Sequence, residues 1–309
     1  MKKIFISIMA VAALAACSKE AAIETPQGDA IAFGDAFVDH STKAIYETAN
    51  DLQGFKVWGN VANVALYGTE GANVTRGDKD LGAAWTCSTT RYWTPSSTFN
   101  FAAIANGTGT DCINGLPTKI SYTLNGTDPA DLVYGTAAAT TDASCAPSGN
   151  ITNGIVSFTL EHLLARVKVS FENQIEEDDY TYAISAVTLT TWDKGVYTIG
   201  AQTPWARTGE ATIALPYTEI NPLAYSTTPT PAGAQVVIPG APITLGFTYE
   251  LKLNGTTIYT NTVSETVETT LVKGHSYNLN VQLKAGDKID FTLTNTGLGA
   301  WGDDTTQNI

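Results

Sequence analysis

The chain has 309 residues, 43% hydrophobic and only 15% charged, with a net charge of −13 and a pI near 4.5. Its four arginines cannot build the clustered basic surface that phosphate binding needs, which excludes a nucleic-acid partner. Abundant Thr and Gly with few charges fit a β-protein outside the cytoplasm, and no apolar run after Ala16 has the length of a transmembrane helix.

Met1-Lys2-Lys3 precedes an apolar block from Ile4 to Ala16 and then Cys17. A charged start, a short apolar core and small residues before the cut make a secretory signal over residues 1–17. Its end, Leu14-Ala15-Ala16-Cys17, resembles a bacterial lipobox, in which Cys17 becomes the lipidated first residue. That resemblance implies an outer-membrane lipoprotein precursor at the cell surface, held by lipid and not by a spanning helix. Residues 18–43 follow as a polar tether carrying one strand-like segment. In it Ile31, Phe33 and Phe37 share a face at period two, and Asp35 interrupts that face. Residues 44–53 hold the only helix-like pattern near the start.

From Phe55 to Phe171 short apolar segments alternate with turn signals. Ile120, Tyr122 and Leu124 alternate into Asn125-Gly126, a hairpin signal because both residues tolerate positive φ. Leu160 to Val167 reads as strand with a local bend. The acidic run Glu176 to Asp179 repels itself and reads as a solvated connection between two domains, 44–173 and 174–309. Six of the twelve prolines fall within 216–242, which predicts a stiff extended loop. Leu245, Phe247, Tyr249, Leu251 and Leu253 alternate into a second hairpin signal, Asn254-Gly255. Tyr277 to Leu283 and then Ile289, Phe291 and Leu293 form the last alternating strands. The expected fold is all-β, with two β-sandwiches in series.

Motifs for catalysis are missing: the chain has no H-E-x-x-H, no G-x-S-x-G and no phosphate loop. His162 lies in an alternating apolar stretch and reads as a structural histidine. No enzyme activity, metal or cofactor is expected. With Cys17 assigned to lipid, Cys87, Cys112 and Cys145 leave room for one disulfide and one thiol, the pairing open. Trp58, Trp85, Tyr92 and Trp93 either fill the first core or present aromatic faces to a host protein or glycan.

Several segments together resemble the fimbrillin family, the lipoprotein-derived subunits of type V pili. They are the lipobox, Ser41-Thr-Lys-Ala44, Asp131-Leu-Val-Tyr-Gly135, Leu160-Glu-His-Leu-Leu-Ala-Arg-Val-Lys168 and the late Trp301. The resemblance implies two transthyretin-like Greek-key β-sandwich domains, proteolytic maturation, and polymerisation with other pilin subunits by donation of a β-strand. Ile31, Phe33 and Phe37 would then mark the removable strand, and Lys43-Ala44 the cut. Ile289, Phe291 and Leu293, within 287–309, would mark the donor. The family's shaft subunits are cut after arginine, whereas Lys43 stands here and the first arginine is Arg76. The alternative is an uncut, lipid-anchored adhesin, or an anchor or tip protein.

Overall fold

The computed structural model describes residues 28–38, 52–77, 84–126, 130–208, 212–267, 270–285 and 288–298, and all regular structure among them is β-strand. Cys17, Lys43, Ala44, nearly all of the helix-like 44–53 pattern and Trp301 lie outside these residues.

The first part of the chain forms β1 (Ala32–Val38), β2 (Gly54–Val61), β3 (Val64–Ala65), β4 (Ala72–Arg76), β5 (Trp85–Cys87) and β6 (Thr98–Ala105). It continues with β7 (Thr108–Thr110), β8 (Lys119–Thr123), β9 (Val133–Thr141), β10 (Pro147–Gly149), β11 (Ile151–Thr152) and β12 (Ile155–His162). One layer of the first sandwich runs β9-β6-β2-β4-β5, with β10 beside β9 and β3 beside β2. β12 pairs with β9 only through Glu161 and His162. The rest of β12 pairs with β11 and β1, which extend the sheet order beyond β9. Strict alternation along β9 buries Val133, Gly135, Ala137, Ala139 and Thr141. Gly135 is required where β9 meets β12, since a Cβ there would lie 2.3 Å from the Thr159 carbonyl oxygen. The core joins Phe33, Phe55, Phe99, Phe101, Phe158 and Trp93.

The second part forms β13 (Ala165–Asn173), β14 (Tyr180–Trp192), β15 (Lys194–Thr198), β16 (Trp205–Arg207), β17 (Thr212–Pro216) and β18 (Ile220–Leu223). Then come β19 (Thr230–Val237), β20 (Ile243–Leu253), β21 (Thr256–Val267), β22 (His275–Lys284) and β23 (Lys288–Leu298). Two sheets, β19-β13-β22-β23 and β17-β14-β20-β21, carry the second core. Val167, Val169 and Phe171 of β13 meet Leu245 and Phe247 of β20 there, with the Phe171 and Phe247 rings edge-on at 5.1 Å. A further sheet, β16-β15-β8-β7, takes strands from both parts of the chain.

Four expectations change. β13 pairs with β19 and β22, so the acidic run Glu176–Asp179 joins two sheets of one sandwich, and the chain passes between cores at Leu163-Leu164. β8 pairs with β7 and β15, not with the strand that follows it, so Asn125-Gly126 closes no tight hairpin. Long-range burial of Ile120 and Tyr122 prevailed over the local turn signal. Asn254 (φ 50°) and Gly255 (φ 77°) do close the β20–β21 hairpin. The proline-rich 216–242 contains β18 and β19; Pro231 fits because β19 is an edge strand, where a missing N–H costs no ladder bond. No disulfide joins Cys87, Cys112 and Cys145 to one another.

Candidate functional site

The site is the groove that β1 fills. From Ala32 to Val38 the strand runs parallel to β12, Phe33 opposite Val156 and Phe37 opposite Thr159, with an irregularity between Gly34 and Phe37. The residues ahead of it run against Arg91–Trp93. The Gly28 N–H donates to the Trp93 carbonyl (2.9 Å), the Trp93 N–H to the Asp29 carbonyl (3.1 Å), and the Ile31 N–H to the Arg91 carbonyl (2.7 Å). The segment is thus pinned by main-chain bonds on both sides by parts of the chain distant in sequence.

Side chains complete the lock. Ile31 (4% exposed) and Phe33 (3% exposed) are interior. The Phe33 ring lies edge-on to Phe101 at 5.5 Å and to Tyr67 at 6.0 Å, and stacks on Phe158 at 6.1 Å. Burying the two side chains contributes about 3–6 kcal/mol. Two glycines set how closely the strand seats. A Cβ on Gly28 would fall 2.6 Å from the Cys145 Cβ, and one on Gly34 would fall 3.0 Å from Ile155 Cγ2 and 3.3 Å from Trp85 Cδ1. Burial raises the pKa of the Tyr67 phenol, and its hydroxyl has no hydrogen-bond partner among the described residues. Without β1 the groove would show an aromatic floor and unpaired backbone along β12 and Arg91–Trp93.

The other site expectations separate cleanly. Ile289 and Phe291 sit in β23, half-buried, with the Phe291 ring 6.5 Å from Phe247. Leu293 pairs with Leu279 along the antiparallel β22–β23 ladder. Trp58 and Trp93 are fully interior, so neither offers a face to a ligand. Trp85 is half-buried against Phe55 (5.2 Å) under the Arg76 guanidinium (4.9 Å), and only Tyr92 of that group is exposed.

His162 has the partner that sequence alone could not supply. Its Nδ1 bonds the Asp131 Oδ2 in a buried pair at the crossing from one sandwich to the other. Burial raises the Asp131 pKa, outweighing the opposing pull of His162 and Arg166. The pair is inaccessible and joins elements; it addresses no cleft. Among the described residues no group of three or more His, Cys, Asp or Glu is placed to hold a metal ion.

Two β-sandwiches, the first with β1 seated against β12, define the class as an all-β protein of two sandwich domains. The Fimbrillin-like family pattern matches residues 42–297, most of the chain, and the chain belongs to that family. It is therefore a structural protein of cell-surface fimbriae and not an enzyme. Among solved structures, a fimbrial protein from Bacteroides vulgatus aligns with a TM-score of 0.61 at 15% identity, covering 87% of this chain and 99% of that one. A candidate cell adhesion protein from Bacteroides uniformis aligns with a TM-score of 0.53 at 12% identity, covering 86% and 96%. At such identities the likeness is one of fold. No curated protein matches the chain.

Proposed function

We propose that this chain is a pilin made as a lipid-anchored precursor on Cys17, cut after Lys43, and polymerised with other pilin subunits by β-strand exchange into an adhesive fibre. The observation that carries this reading is the seating of β1. It is the first described strand, it lies just ahead of Lys43-Ala44, and both its neighbours come from far along the chain. While β1 is joined to the sandwich, its high effective concentration keeps the groove filled. A cut after Lys43 removes that advantage and leaves only the contacts of Ile31, Phe33 and the backbone. An incoming strand then restores the main-chain bonds, and alternate side chains fill the pockets. The C-terminal region carries the donor, since β23 is an edge strand with one ladder to its own sheet.

N-terminal sequencing of the fibre decides the matter. The expected first residue is Ala44. Fibres whose subunits still begin at lipidated Cys17 would overturn the reading and leave an uncut, membrane-held adhesin or anchor.

A further inference from the structure

β21 is the edge of its sheet, paired with β20 alone among the described residues. It is also almost bare: every residue from Thr256 to Thr262 is exposed, and only Val263 and Val267 are half-buried. We propose that two copies of this chain associate side by side through this edge, β21 pairing antiparallel with β21 of the second copy about a two-fold axis at Val263. The contact is separate from strand exchange. It needs no cleavage, and it lies on the second sandwich, whereas β1 belongs to the first.

An unpaired edge recruits another strand unless proline, lysine, a bulge or a covering element blocks it. The edge strand β19 carries Pro231 and a register shift, and β23 carries Lys288 and Asp290. β21 has no such guard from Tyr259 to Val267, where the sequence is Tyr-Thr-Asn-Thr-Val-Ser-Glu-Thr-Val in unbroken register with Leu251 to Ile243. Its spare backbone groups face outward. The Thr262 N–H donates to the Asn261 Oδ1 at 2.9 Å. The hydroxyl pairs Thr248–Thr262 (3.0 Å) and Thr244–Thr266 (3.1 Å) mark the closely spaced, non-hydrogen-bonded positions of the β20–β21 ladder. The N–H and C=O groups of Thr260, Thr262, Ser264 and Thr266 therefore point away from β20, where a further strand would take them up.

The occupant is a second copy because the strand complements itself. Val263 stands opposite buried Phe247 and Glu265 opposite buried Leu245, so the odd-numbered residues share the core side. That side is open to water: Tyr259 is 38% exposed even with its ring 6.0 Å from Tyr249. Setting Val263 against its own copy places Tyr259 against Val267 and Asn261 against Glu265 there. Each exposed aromatic then meets a β-branched side chain, and each carboxylate meets an amide donor. On the outer face the same register places Thr262 against Ser264 and Thr260 against Thr266, hydroxyl pairs of the kind that already joins β20 to β21. Glu265 is the one charged residue from Tyr259 to Val267, and this register keeps its two copies apart, which matters between chains of charge −13.

The test uses the uncut chain, in which the seated β1 keeps strand exchange out of the measurement. Sedimentation equilibrium is expected to show a concentration-dependent balance of monomer and dimer. Under mild oxidation Val263→Cys should cross-link two copies, since a non-hydrogen-bonded pair stands about 4.5 Å apart at Cα, within reach of a disulfide. The unaltered chain, with Cys87, Cys112 and Cys145, sets the background. Thr262→Pro removes an outward donor from each copy and spares the β20 ladder, so it should weaken the dimer roughly tenfold or more with the unfolding midpoint nearly unchanged. Asn261→Lys, facing Glu265 of the second copy, should strengthen it roughly threefold. Adding Glu265→Lys should reverse that gain although the net negative charge falls further, because like charges then stand opposite each other. A chain that stays monomeric at its highest soluble concentration would overturn the proposal. So would a dimer of full strength with Thr262→Pro, or no cross-link from Val263→Cys above background. Each of these results would leave strand exchange standing.

Discussion

At the scale of the residue, two buried groups carry the sharpest consequences. Asp131 and His162 bond each other out of contact with water. His162→Ala is expected to destabilise the protein by about 1–3 kcal/mol, because it leaves a buried carboxyl group without its hydrogen-bond partner; urea unfolding measures it. The pH dependence has a defined sign. Asp131 has a raised pKa in the folded protein, so between about pH 4 and that raised value the folded state holds a proton that the unfolded state has released. Its contribution to stability is complete below about pH 4 and is lost as pH rises through the folded value. Subtracting the stability profile of Asp131→Asn from that of the unaltered protein should reveal a fall with rising pH in that window. Phe33 is the other case. Phe33→Ala in the uncut chain should cost about 3–5 kcal/mol, the usual penalty for emptying an aromatic core site, and loosen β1.

The element that matters is β1. Gly28 lies against Trp93, which is interior beside Phe99 at 4.8 Å. Removal of the strand opens that tryptophan to solvent. Cleavage between residues 43 and 44 is therefore expected to increase quenching of tryptophan emission by iodide, and Trp93→Phe combined with Trp85→Phe, the other tryptophan beside β1, should abolish most of the increase. An unchanged signal after the cut would mean that β1 stays seated as a separate peptide. The alternation of Ile31, Phe33 and Phe37 made this strand legible in the sequence. Its neighbours were not legible, because a parallel partner such as β12 and a clamp such as Arg91–Trp93 leave no periodic trace in the segment they hold. The same limit applies at β8, where Asn125-Gly126 marked a turn but could not say which strand would lie alongside.

At the scale of the whole molecule, the two sandwiches share material. Sheet β16-β15-β8-β7 joins strands from both parts, and Trp58, Ile104 and Ile120 from the first part pack into the second core. Unfolding is expected to be a single transition. Ser121→Pro removes a ladder donor in β8, between Val196 and Thr108, and should split the melt into two. Heating under reducing and non-reducing conditions should give the same Tm, since no disulfide links the three described cysteines.

The sequence by itself determined the all-β class, the strand faces, the position of β1 ahead of Lys43-Ala44 and the absence of catalytic motifs. Each is written in local chemistry: period-two burial, turn residues, spacing. Only the tertiary structure decided where one sandwich gives way to the other, that Trp58 and Trp93 are interior, and that His162 answers Asp131. Those depend on which distant segments pack together. Side-chain burial across sheets sets that choice, and no window of neighbouring residues contains it.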